Sequence, residues 1–370
     1  MTAARGSWLR VAAGVLPVVA LGSFILVTGA IALAAGSLLG YDFQAYVQAA
    51  DRLLAGERLY DPAVSVAGGF AIYLYPPPFA FAFIPFALLP ENVGVVDWTA
   101  LLGACVVAAA LVMPVRREIR WLIVLLAAFN WPVLYSIKLG QVGPVLLLLF
   151  AIGWRWMDRP AVLAASIVAG GVTKLQPAAL ALWALLTGRV RAGVYAFGGL
   201  AVLAILSLVL LGPSTVADYI ALLARVSAPV TTPHNFTPGA VAYQAGLSEG
   251  LATGLQWGVV LLALGASLVA IRIADAEASF LVTVVATQLV SPLLWDHYAI
   301  LLLLPVAWLI ERGQWWALAL PIATSLPLLG LVPPAVYPLE FAVCLLAPIA
   351  VGRRRVVEAA AVGRVSVAVP

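Results

Sequence analysis

Apolar runs long enough to cross a roughly 30 Å hydrocarbon layer recur from one end of this chain to the other, and no other feature limits its fold so strongly. A soluble core alternates buried and wet faces. Here 64% of 370 residues are hydrophobic and only 10% are charged, a balance that soluble domains do not show. Inside a bilayer every backbone N–H and C=O must be satisfied by the chain itself, which leaves helices or a closed barrel. Long unbroken apolar runs point to helices, so the chain is expected to be an all-α polytopic membrane protein.

Spans laid between the turn and charge signals fall near residues 11–39, 92–113, 121–137, 142–157, 161–173, 177–187, 192–211, 251–274, 278–293, 298–311, 315–332 and 337–351, about twelve transmembrane helices. The first run ends in ALAAG, which faintly resembles a cleavage site. It is far longer than a signal-peptide core and is expected to remain as an uncleaved span. The pair 161–173 and 177–187 is too short to cross fully. Helices of half depth need protein or a water-filled cavity at their ends, so a cavity opening to the outer face is expected.

The net charge of +4 could suit a nucleic-acid binder, but the basic residues stand in short clusters between apolar runs and read as topology signals. With the N-terminus inside, every lysine and arginine except Arg52, Arg58, Lys138, Lys174 and Arg225 falls on the inner side. Both termini are therefore expected to be cytoplasmic. The use of arginine over lysine, with abundant alanine, valine and glycine, suggests a GC-rich bacterial genome. Cys105 and Cys344 lie within apolar runs and read as packing residues, with no disulfide, metal or thiol chemistry expected.

Two connections are long, 40–91 and 212–250, and both fall on the outer side. A single transmembrane catalytic domain over 1–352 with these loops above its site, and a cytoplasmic tail over 353–370, is the expected organisation. In the first loop Phe43, Tyr46, Val47, Ala50 and Leu54 recur at helical spacing and predict an interfacial helix. The segment YPPPFAFAFIPFALLP is too short and proline-rich for an ordinary span and reads as interfacial or re-entrant.

Chemistry-bearing residues gather on that outer side. Asp42 stands just beyond the first span, where a carboxylate can ionise and still touch the bilayer; an N-cap role for the helix that follows is the competing reading. Lys138 and Lys174 are the chain's two lysines, and both sit in short outer turns against the positive-inside bias. Either an anion holds them there or they snorkel to the interface. Asp296 and His297, in SPLLWDHYAI, abut apolar runs, where ionisable groups are costly and tend to mark function, although an ordinary loop turn is an alternative. His234, in TTPHNFTPG, reads as a solvated loop residue, and the NFT triplet beside it as a sequon by pattern only. No phosphate-binding glycine loop, zinc motif or serine nucleophile elbow is present.

An acidic residue in YDFQAYVQAADRLLAGERLYDP, followed in order by YPPPFAFAFIPFALLP, KLGQVGPVLLLL, TKLQPAALALW and SPLLWDHYAILLLLP, resembles glycosyltransferase family 87. These are polyprenyl-phosphate-mannose-dependent α-mannosyltransferases of the glycosyltransferase-C superfamily, and actinobacterial enzymes that extend phosphatidylinositol mannosides are the nearest likeness. The resemblance covers roughly residues 40–310 and implies a glycosyltransferase-C-like fold with interfacial helices in the first outer loop. It implies transfer of mannose from a polyprenyl-phosphate donor to a lipid-anchored glycan acceptor of phosphatidylinositol mannoside or lipomannan type, at the outer face of the bacterial inner (plasma) membrane. It maps the catalytic aspartate to Asp42 and the phosphate-side histidine to His297, and sets Lys174 at the family's basic turn; Lys174 and Lys138 are expected beside the donor phosphate with His297. Tyr46, Tyr75, Gln141, Trp295 and Asp296 are expected to support the same pocket. Gly143 departs from the pattern, since relatives often carry asparagine after GQV.

Such chemistry needs a base for the acceptor hydroxyl and cations beside the growing phosphate charge, roles that suit Asp42 and the pair Lys174 and His297. One base without a nucleophilic partner suits single-step inversion. A leaving group with a single phosphate does not require a bridging metal, and the chain has no DxD pair, so no cofactor is expected. Membrane lipids, the donor and a glycolipid acceptor are the expected partners, with no nucleic acid. The rival class is a multi-span lipid or sugar transporter or flippase, which would place charges near midplane and show repeated halves. A noncatalytic scaffold would explain the spans but not the convergence of charge.

Overall fold

Proline and glycine punctuate the chain where its apolar runs end, and most of its helices start or stop there. The structure, a computed structural model, describes residues 2–60, 72–226, 230–331 and 333–353, and among these it is all-helical with no strand. Residues 354–370, most of the expected tail, lie outside the described residues.

The long first helix α1 (Thr2–Ala35) is followed by α2 (Tyr41–Ala55), the expected amphipathic helix, which buries Phe43, Tyr46 and Ala50 and leaves Leu54 exposed. The proline-rich segment forms two very short helices, α3 (Pro77–Phe81) and α4 (Ile84–Ala87), before α5 (Glu91–Val112) runs straight. The expected span 121–137 is broken: α6 (Arg117–Ala128) and α7 (Trp131–Leu139) meet at a 63° bend. Asn130 sets that break. Its side chain accepts from Val133 N at 3.3 Å, capping α7, and donates to Pro321 O at 3.1 Å, while Pro132 occupies the first turn of α7.

Helices α8 (Gly143–Arg155), α9 (Pro160–Thr173) and α10 (Leu180–Leu186) follow as a cluster of short segments. The second long connection was expected to begin at residue 212, yet α11 (Val190–Val226) continues helical well beyond it. Gly212, at φ 81°, kinks the chain and Pro213 restarts the helix in its first turn. Short α12 (Pro238–Gln244) precedes α13 (Glu249–Ile273) and α14 (Ala276–Leu289). A 3-10 turn over Asp296–Leu302 feeds α15 (Leu303–Glu311), and α16 (Ala319–Ala323) and α17 (Val336–Val351) close the described chain.

Among the described residues four helices can cross a membrane by length and composition, and the bent α6–α7 pair could make a fifth; α8, α9, the 176–186 segment, α14 and α17 are apolar but shorter. Most of the twelve expected positions thus hold helices, only some of them of full length. The core runs along α14, whose side chains from Ala278 to Leu289 are all buried, and along α15, buried from Leu303 to Ile310. A helix that is apolar all round belongs inside, and these two are surrounded. Around them α11 and α13 turn leucines and valines outward, among them Val209, Leu210, Leu261 and Leu262, as a lipid-facing wall would.

Candidate active site

Two left-handed glycines bring the first loop against the middle of the chain. Gly40 (φ 73°) precedes α2, Gly140 (φ 74°) ends α7, and Gly40 N donates to Lys138 O at 2.9 Å. A Cβ at Gly140 would stand 2.8 Å from Phe43 Cβ and 3.1 Å from the Gly40 Cα, so the approach depends on Gly140 lacking a side chain, while one at Gly40 would strike Val95 of α5. Trp98 fastens the contact from α5: its Nε1 donates to Gly140 O at 2.8 Å and its ring stacks on Phe43. Two residues beyond Gly40 is Asp42, and one beyond Gly140 is Gln141. Their side chains meet, Gln141 Nε2 donating to Asp42 Oδ2.

This geometry answers the capping alternative for Asp42. The N-cap of α2 is Gly40, no side chain caps that helix, and the carboxylate is turned to Gln141 instead. Tyr46 and Tyr75, both buried, stand behind the amide, with Tyr75 OH 3.1 Å and Tyr46 OH 3.4 Å from Gln141 Oε1.

Lys174 ends α9 in extended backbone and is half-buried. Its Nζ sits 3.4 Å from the centre of the Tyr298 ring, a cation–π contact. Burial pushes its pKa down to about 7, against the upward pull of the Asp42 charge. Asp42 shows the reverse balance. Burial raises its pKa above the usual carboxylate value, and the Gln141 hydrogen bond, His297 and Lys174 each pull it back. The three ionisable residues, drawn from widely separated segments, therefore share one electrostatic site.

His297 lies at the start of the 3-10 turn, 4% exposed, with neither ring nitrogen hydrogen-bonded among the described residues. Its Nδ1 is 3.6 Å from Asp296 Oδ1, too far for a bond. Asp296 itself accepts from the backbone N of His297 at 2.8 Å and from Trp131 Nε1 at 2.8 Å, so it works as a turn-holding carboxylate. A buried imidazole with two free nitrogens is a costly arrangement that a polar ligand would relieve. Trp295 packs, partly buried, against the core, and Lys138 lies at the end of α7 with its Nζ 5.9 Å from the Tyr135 ring. At Gly143 an added Cβ would stand 3.1 Å from both Ser136 Oγ and Ile300, which leaves little room for a larger residue.

Two residues of importance here escaped the sequence reading. Tyr298 was seen only as part of WDHY, although its ring is what Lys174 rests on. Asn235, the asparagine of the NFT triplet, is wholly buried: its Oδ1 accepts from Thr237 N and Leu294 N, and its Nδ2 donates to Pro292 O. It ties the 230–237 loop to the strand of chain that delivers His297, and is no surface sequon. His234 beside it is exposed, as expected. Among the described residues no group of three or more His, Cys, Asp or Glu side chains could hold a metal ion.

The sequence model described as glycosyltransferase family 87 matches residues 73–294, more than half of the chain. The match includes Tyr75, Lys138, Gln141 and Lys174; it begins after Asp42 and ends just before Trp295. No curated protein and no solved structure matches significantly.

Proposed function

Because the chain belongs to glycosyltransferase family 87, we propose that it transfers mannose from a polyprenyl-phosphate carrier to a lipid-anchored glycan of phosphatidylinositol mannoside or lipomannan type, at the outer face of a bacterial inner membrane. Asp42 is the general base. The observation that carries this reading is the meeting of one half-buried carboxylate with Lys174 and an unpartnered His297 in a single site.

The acceptor hydroxyl attacks the anomeric carbon while the bond to the carrier phosphate breaks. Its proton passes to Asp42, and the departing polyprenyl phosphate keeps the electron pair of the broken bond. The added negative charge develops beside Lys174 and His297, where a fixed cation and an imidazole N–H stabilise it more than water could. With one carboxylate and no second nucleophile, displacement inverts the anomeric centre, so a β-linked donor gives an α-linked product.

The test incubates purified protein with labelled polyprenyl-phosphate mannose and candidate acceptor glycolipids. Wild-type protein is expected to give a mannosylated lipid, and Asp42→Asn to lower turnover roughly a hundredfold or more, the usual worth of a general base. Donor binding should survive that change. Wild-type turnover in Asp42→Asn would overturn the assignment of the base, and carrier movement without product would favour a transporter.

A further inference from the structure

We propose that Gln141 is a positioning residue for Asp42, and that the hydroxyls of Tyr46 and Tyr75 fix which end of its amide the carboxylate meets. The proposal rests on the reading of Asp42 as the base. It starts from the asymmetry of an amide, which has a donating NH2 at one end and an accepting oxygen at the other. An ionised carboxylate can only accept, so a Gln141 turned the wrong way would set oxygen against oxygen.

The two tyrosines bias that choice. Their hydroxyl oxygens are 2.8 Å apart, so one donates to the other, which leaves the second proton of the pair to find an acceptor. Gln141 Oε1 lies 3.1 Å from Tyr75 OH and 3.4 Å from Tyr46 OH and takes that role. The shorter distance favours a chain running Tyr46, Tyr75, Gln141, Asp42, each donating to the next. Burial holds both phenols neutral, their pKa values raised well above the ordinary tyrosine value, so the protons stay in place. With its oxygen engaged, Gln141 presents Nε2 to Asp42 Oδ2. Oδ1 is left without a hydrogen bond among the described residues and can receive the acceptor's proton.

The parts come from three places in the sequence: α2 gives Asp42 and Tyr46, the segment before α3 gives Tyr75, and the turn between α7 and α8 gives Gln141. They are rigidly backed. Tyr46 packs against Phe79, Phe83 and Tyr75, and Tyr60 OH donates to the Tyr75 carbonyl at 2.7 Å. The charged and titratable groups around Asp42 are Lys174, His297, Tyr46, Tyr75, Tyr135 and Tyr298. Lys138 closes α7, and Glu91, on α5, is turned to Gln44 at 3.3 Å. A change at Gln141 removes none of these.

The experiment measures kcat/KM against pH, with donor binding, for Gln141→Met and for Tyr46→Phe combined with Tyr75→Phe. Loss of a hydrogen bond to the ionised base should raise the pH of the acid limb by about one unit and lower turnover roughly tenfold to a hundredfold in Gln141→Met. The double tyrosine variant should move the same limb in the same direction by less. Donor affinity should stay within about twofold in both, a bound on the scale of a rim contact rather than a direct one. An acid limb unmoved in either folded variant, even with reduced activity, leaves the network a structural tie and overturns the proposal. Asp42→Asn, run alongside, separates the two readings: retained turnover there removes the base itself, whatever Gln141 does.

Discussion

Lys174 sits on a tyrosine face rather than against a carboxylate, and its pKa of about 7 places its charge within the working pH range. The ammonium is charged below that value and lost as the pH rises through it. Asp42 runs the other way, since burial raises its pKa and the carboxylate proposed as the base is lost as the pH falls through that raised value. Together they give kcat/KM a bell shape, with its alkaline fall near pH 7. Bound donor phosphate would hold the proton on Lys174, so the alkaline fall in kcat should come at higher pH. Lys174→Arg keeps its charge at every such pH and should abolish the fall in kcat/KM near 7. A fall at the same pH in that variant would assign it to another group. Asp42, Lys174 and His297 could be picked out from sequence because charge beside apolar runs is costly and therefore conspicuous. The orientation of Gln141 and the stacking of Lys174 on Tyr298 could not, because both depend on which way a neutral side chain faces after folding.

Helices were legible where proline, glycine and charge bound an apolar run, and α2 shows it: of the expected stripe Phe43, Tyr46 and Ala50 are buried and Val47 half-buried, while Leu54 is exposed. Breaks inside apolar runs were less so. The bend at Asn130 leaves hydropathy untouched, since a single polar residue that finds partners in Pro321 and Thr324 does not interrupt an apolar stretch. At Gly212 the reverse held: glycine and proline marked the break, but not the helix that resumes after it. The glycine pairing at the head of α2 makes a prediction at this scale. Gly56 and Gly140 both have left-handed backbone, but a Cβ at Gly56 meets nothing within 4 Å while one at Gly140 meets Phe43 at 2.8 Å. Gly56→Ala should cost about 1–2 kcal/mol of stability, the strain of the backbone alone, with turnover unchanged. Gly140→Ala should cost more and lower turnover, because Asp42 is displaced from Gln141. Thermal unfolding in detergent and initial rates check both, and equal effects would mean that the close approach carries no weight.

For the molecule as a whole, the proposed site lies where the first long connection folds over the ends of α7 and α9, and the arginine bias is the ground for proposing that end outside. Cysteines introduced in α2 or at His234 are expected to react with an impermeant reagent in intact cells, and cysteines near Arg117 or Arg312 only after permeabilisation. The reverse pattern would place the chemistry in the cytoplasm and remove the argument for an outer-face donor. Membrane character was plain from composition, because no soluble packing accommodates so much apolar surface. Span number was not plain, because short helices such as α8 and α9 are as apolar as full-length ones and differ only in what covers their ends.

The meeting of Gly40 and Gly140 has a consequence for how sequences of this kind can drift. The spacing between the acid and its amide partner is indexed by main-chain atoms, Gly40 N on Lys138 O, and by the absence of a side chain at Gly140. A ruler made of backbone keeps its length whatever residues decorate it. The aromatic lining of α2 and α3 can therefore exchange one ring for another, and so retune what the pocket admits, while the distance from Asp42 to Gln141 stays fixed.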